Sequence, residues 1–284
     1  MSAPDTAGTR VPQKPVIPWP LAVGGLLVGL HVAVALLSLV WTPYGVGDMV
    51  GGRLEGPSLA HWAGTDRLGR DLMTQIMIGS RIALVVGCGA VALGALLGVA
   101  IGVFAAFATR TLDDVLAAAL DILIAFPTLL LAMLIVASSG ASLWTAILAI
   151  GIAGSAIVAR LTRILAKRIL AMDYITAARI SGTSWPGIVR IHVLPNIWPT
   201  LIVSFALQFG LAVIAEASLS YLGLGAPPPN ASWGRLLQEA QASVYTAPFG
   251  AIAPGLALVS LVIGLNLFAD GLREVADPTK RRSR

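Results

Sequence analysis

Charge is scarce in this 284-residue sequence: Asp, Glu, Lys and Arg make up 12% of it, against 57% hydrophobic residues. A soluble domain is roughly a quarter charged. With its polar residues gathered between long apolar runs, the chain reads instead as an all-α, polytopic membrane protein. Cysteine occurs once, at Cys88 inside an apolar run, which excludes a disulfide framework and a CxxC metal site and leaves the redox compartment unread. Lysine occurs only at Lys14, Lys167 and Lys280, never after a glycine-rich turn. The chain therefore has no phosphate loop with which to cradle ATP, and its energy source must be another polypeptide. His31, His61 and His192 are far apart, which argues against a metal site, and no Ser/His/Asp arrangement suggests catalysis. The formal charge of +5 does not point to nucleic acid, because the basic residues border apolar spans without interleaved aromatics.

What is present is a series of apolar runs, six of them long enough at roughly 17–25 residues to cross a bilayer as helices. They are Pro20–Val40, Arg81–Phe107, Leu116–Ala137, Leu143–Ala159, Ile197–Leu222 and Phe249–Ala269. The first is longer than a signal-peptide core and is expected to be retained. If the N-terminus is cytoplasmic, only Arg53, Arg67, Arg70, Arg81 and Arg235 of the 19 basic residues lie outside. The positive-inside rule then places both termini in the cytoplasm.

Ala90, Gly94, Gly98, Gly102 and Ala106 form a four-residue stripe on the second run, a surface on which another helix of the bundle can pack closely. Pro127 interrupts the third run and predicts a kink. Between the fourth and fifth runs the chain breaks into small, basic and helix-stopping residues. Asp173–Ser181 favours a short helix, Gly182 suits its left-handed stop, and Thr183 or Ser184 can cap a second short helix with Pro186 in its first turn. Pro195 and Pro199 bracket the return into the fifth run. The expectation is a compact elbow that docks into a groove on another protein.

The pattern Thr176-Ala177-Ala178, Gly182, nine residues, then His192-Val193-Leu194-Pro195 resembles the "EAA" loop of ABC-importer permeases, with Thr176 in place of the usual Glu and His192 where Ile is commonest. Four further stretches, Gly64–Leu84, Asp121–Met133, Glu216–Gly234 and Leu265–Pro278, are similar to the C-type permease subunit of dipeptide and oligopeptide importers. The resemblance implies a type I importer fold: a tail over 1–19, an extra first helix and outer loop over 20–80, a five-helix core over 81–270 containing a coupling loop at 173–196, and a basic tail over 271–284. It also implies a second homologous permease, one or two ABC ATPase subunits carrying ATP and Mg, an extracytoplasmic solute-binding protein, surrounding lipid and a bacterial inner membrane. The implied cargo is short peptides, with nickel or glutathione as alternatives within the same group.

Three charged residues remain as structural or pathway candidates: Arg81, Asp121 and Glu216. The two carboxylates read as buried, and an unpaired carboxylate in hydrocarbon is costly, so Glu216 is expected to pair with Arg81 at a similar depth. Arg160, Arg163, Lys167 and Arg168 read as a solvated extension of the fourth helix that also meets headgroups, with ATPase contact as the sharper alternative. On the outer side Asp66 and Arg70 form an i, i+4 pair, Pro227, Pro228 and Pro229 stiffen a loop, and Trp233 anchors at the interface. Two other readings compete. An ion-driven secondary transporter needs inverted repeats, and none is found. A membrane scaffold without transport leaves the elbow unused.

Overall fold

The computed structural model describes residues 18–225, 227 and 231–276; the tails and Pro228 and Pro229 of the expected stiff loop lie outside the described residues. Regular structure among them is helical, apart from two isolated β-bridges, Met49–Arg70 and Thr65–Asp71. The helices are α1 (Trp19–Val40), α2 (Leu72–Phe107), α3 (Arg110–Ala125), α4 (Thr128–Ser139), α5 (Leu143–Leu170), α6 (Asp173–Ile180), α7 (Trp185–Ile188), α8 (Leu194–Tyr221), α9 (Trp233–Ala240) and α10 (Phe249–Ala276).

Among the described residues, five continuous helical segments are long and apolar enough to span a membrane: α1, α2, α5, the run Trp185–Tyr221, and α10. The sixth expected crossing is a broken pair, α3 and α4, bent by 87°. Pro127 supplies no N–H and its ring disfavours helical geometry at the residue before it, so Phe126 is extended at φ −74°, ψ 127°. The expected kink is a full break.

Charge misled the expected helix bounds. α2 starts at Leu72, where the Asp71 carboxylate accepts the Thr74 N–H at 2.7 Å and caps the first turn. α5 continues past Ala159 to Leu170, as the expected extension of the fourth helix, and α10 runs past Ala269 to Ala276. α7 is not a separate short helix: a π-turn over Val189–Val193 joins it to α8.

The core forms around α2 and α5. A Cβ at Gly94 would stand 3.1 Å from the Gly151 carbonyl oxygen, at Gly98 2.7 Å from that of Ser155, and at Gly102 2.5 Å from that of Ala159. Only glycine allows the two backbones to approach this closely, so the expected small-residue stripe is a helix seam within the chain. At the opposite end from α6, the loop of residues 41–71 and α9 cover the bundle. Trp233 is 1% exposed, and its indole N–H donates to the Ile76 carbonyl at 3.0 Å. The expected interface anchor is a core residue, because a buried indole that finds an acceptor gains both apolar burial and a hydrogen bond.

Candidate functional site

The elbow is built by local backbone chemistry. α6 ends in two closing bonds, Gly182 N–H to the Arg179 carbonyl and Thr183 N–H to the Ala178 carbonyl, both 3.0 Å. This 6→1, 5→2 pattern needs a left-handed residue, and Gly182 adopts φ +86°. A Cβ there would meet nothing within 4 Å, so the glycine answers a conformational demand and no crowding. Ser184 precedes α7 as expected, but its side chain makes no capping bond; Pro186 sits in the first turn.

α6 is held from beneath by Ile175, 2% exposed, which packs in one cluster with Ile188, Val193, Ile197 and Leu201. Thr176 and Ala177 face outward, Ala178 is half-buried and Gly182 is exposed. Leu194, half-buried, and Pro195, exposed, lie beyond the π-turn at the start of α8. Thr176 through Gly182 are thus one presented surface, and Leu194 and Pro195 belong to the rod behind it. Arg179 stacks over the Trp185 ring at 3.9 Å, and Phe107 meets the same ring edge-on, tying the elbow to the end of α2.

The expected pair of Arg81 with Glu216 does not form. Arg81 reaches α1 and donates to the Ser38 carbonyl at 2.5 Å and to its hydroxyl at 3.1 Å. Glu216 is buried on α8 and accepts the Ser220 hydroxyl at 2.6 Å and the Ser232 hydroxyl from the segment entering α9. The two residues point to different neighbours. Asp121, in contrast to Glu216, is not buried: it pairs with Arg160 at 3.0 Å with both side chains more than half exposed.

The row Arg160, Arg163 and Lys167 is therefore not a free solvated face. Arg163 binds the Asp113 carboxylate at 2.5 and 2.8 Å through Nε and Nη2, and Lys167 also reaches that carboxylate. Asp113 is 5% exposed. Sequence reading missed it because its partners lie some fifty residues away; the usable signal was its eight-residue spacing from Asp121, which places both on one face of α3.

Where α2, α4, α5 and α8 meet, they line a half-open cavity of about 210 Å³ whose wall is apolar except for Thr128, Gln208 and Ser218. Gln208 donates to the Gly154 carbonyl at 3.2 Å, which pins α8 to α5 beside the cavity. Gln208 also escaped the sequence reading, since a lone amide in an apolar run carries no pattern.

At the loop end Asp66 and Arg70 pair as expected at 2.6 Å, and Arg70 reaches on to Glu239 of α9 at 3.1 Å. Burial works to raise the Asp66 carboxyl, but hydrogen bonds from the Arg70 and Leu68 backbones and the Gln75 and Arg70 side chains outweigh it. The carboxyl is held below its ordinary value.

Residues 98–282 match the family described as binding-protein-dependent transport system inner membrane component. The chain is 36% identical over 257 residues to a dipeptide transport system permease protein of Alkalihalophilus pseudofirmus, covering 90% of this chain and 84% of that one. It is 38% identical over 256 residues to a glutathione transport system permease protein of Pectobacterium atrosepticum, covering 89% and 85%. A putative peptide transport system permease protein of Brucella suis is 38% identical, over 89% and 86%.

Proposed function

The chain belongs to the family of binding-protein-dependent transport system inner membrane components, and from that premise we propose that it is one permease half of an ATP-driven importer of short peptides. A second homologous permease completes the pathway. One or two ABC ATPase subunits, carrying the ATP and Mg, dock on the elbow, and a solute-binding protein delivers cargo at the loop end. The elbow end lies in the cytoplasm of a bacterial cell, with both termini on that side. The observation that carries this reading is the elbow itself: α6 is fixed from beneath by Ile175 while Thr176 and Ala177 face outward. A buried underside supporting an exposed small-sided face is a docking geometry.

Gly182→Val tests it. A β-branched residue at φ +86° costs on the order of 1–2 kcal/mol locally and misdirects the chain leaving α6. The variant inserts normally, while co-purification of the ATPase, substrate-stimulated hydrolysis and uptake all fall sharply. Normal uptake at wild-type expression would remove the coupling assignment. The topology is read separately: Ser184→Cys on a Cys88→Ala background resists an outside-only thiol reagent in intact cells, and rapid labelling would reverse the orientation.

Two of the relatives are named for dipeptide and glutathione transport, and both cargoes are short amide-linked chains ending in carboxylates. Uptake of labelled di- to hexapeptides by the reconstituted complex, with glutathione as competitor, decides between them. Saturable peptide uptake indifferent to glutathione supports the peptide reading.

A further inference from the structure

Among the spanning elements, α3 is lightly held. Of its 16 residues only Asp113 and Leu120 are buried. Leu120, with Ile124, rests on Ala156 and Ala159 of α5, a smooth surface of methyl groups that resists sliding weakly. The directional contact is ionic: the Asp113 carboxylate receives two bonds from Arg163 and one from Lys167, and Arg160 meets Asp121 two turns further along the same face. A charge-assisted, two-pronged bond fixes orientation as well as distance.

Each end of this contact leads somewhere. Arg163 and Lys167 lie in the last turns of α5, which passes into α6 through Ala171 and Met172 alone. Beyond Ala125, α3 turns by 87° into α4, and Thr128 and Leu129 just past the bend line the cavity. A continuous mechanical series therefore runs from the elbow, along the end of α5, across the Asp113 cluster, down α3 and into the cavity wall.

We propose that Asp113, gripped by Arg163 and Lys167, is a positioning residue for transport that carries elbow displacement into the cavity wall. It touches neither ATP nor cargo. It acts by making α3 follow α5, so that the bend at Phe126 and Pro127 converts the displacement into a shift of Thr128 and Leu129. This rests on the reading that the elbow meets the ATPase.

The test uses the complete reconstituted complex and reads peptide imported per ATP hydrolysed. Asp113→Asn keeps the side-chain shape and removes the charge. Assembly and substrate-independent hydrolysis stay near wild type, while the import-to-hydrolysis ratio falls about tenfold, within the range by which coupling residues alter linkage between sites. Asp113→Glu retains most of the ratio, and the exchange Asp113→Arg with Arg163→Asp recovers a substantial part. If Asp113→Asn fails to assemble, Arg163→Lys and Lys167→Gln give the same reading through smaller drops in ratio. A wild-type ratio in an assembled charge-deficient variant, or parallel losses of hydrolysis and import that leave the ratio fixed, would overturn the link. Wild-type import without ATP would instead overturn the functional reading, so the two failures are distinguishable.

Discussion

The two ends of this molecule are finished differently. At the loop end, the Trp233 indole is bonded to the α2 backbone, Gly234 lies so close to the Ala217 carbonyl that a Cβ could not fit, and Arg70 joins Asp66 to Glu239 across residues 41–71 and α9. Polar groups there find partners inside the chain. At the elbow end, α6 has one buried residue, Ser184 leaves its capping position unused, and Gly182 opens onto empty space. The first end is braced by contacts within the chain; the second leaves its turn open. The same residue type makes the point: Gly234 is required by crowding and Gly182 by backbone angle alone.

Substitutions can break this contrast. The largest effect is expected from Trp233→Ala, which empties a fully buried site and removes the indole's hydrogen bond to the Ile76 carbonyl. A loss of about 3–5 kcal/mol lowers the thermal midpoint in detergent and the folded yield; a change below about 1 kcal/mol would show that the loop end is held otherwise. Gly234→Ala comes next, at roughly 1–3 kcal/mol from overpacking, visible in the same melting curve. Gly182→Ala, the matching change at the other end, costs about 1 kcal/mol of local backbone strain and leaves the midpoint almost unmoved. Equal shifts from the two glycine variants would erase the distinction between crowded and open ends.

The smallest effect is the pH dependence that Asp66 contributes at the loop end. Because the folded Asp66 carboxyl sits below its ordinary value of 3.8, its contribution is fully present above that value. It is lost as pH falls through the lower folded value. Near neutral pH the Asp66 contribution should therefore be constant, stability should decline in acid, and Asp66→Asn should flatten that part of the acid limb. An unchanged acid limb would show that the carboxyl's partners do not favour its charged form.

How far the sequence revealed these ends depended on the kind of information needed. Apolar runs located the five continuous spans and the bent α3–α4 pair, since burial in lipid is a one-dimensional property. The Gly182 stop was legible because it is a constraint on one residue's backbone. Partner choice was not. Depth along a helix can be read from position, but the face a side chain occupies turns by about 100° per residue, and a small shift in helix start changes it. Arg81 and Glu216 were matched by depth and missed by direction. Asp113 needed the placement of α3 against the charged extension of α5, which no one-dimensional pattern supplies. The cavity needed four helices placed together.

The glycine seam between α2 and α5 limits the motions left to the bundle. Gly94, Gly98 and Gly102 each face a carbonyl of the other backbone, so the two helices mesh like racks with teeth four residues apart. Rolling either one would drive a bulkier neighbour into the opposing main chain. Sliding by a single rise of about 1.5 Å would take every tooth out of its gap at once. Kinematically the pair behaves as one body, a chassis running along the two turns of α2 from Gly94 to Gly102. Any change of shape that opens or closes a path must be carried by joints elsewhere, and the α3–α4 break is the joint nearest the cavity.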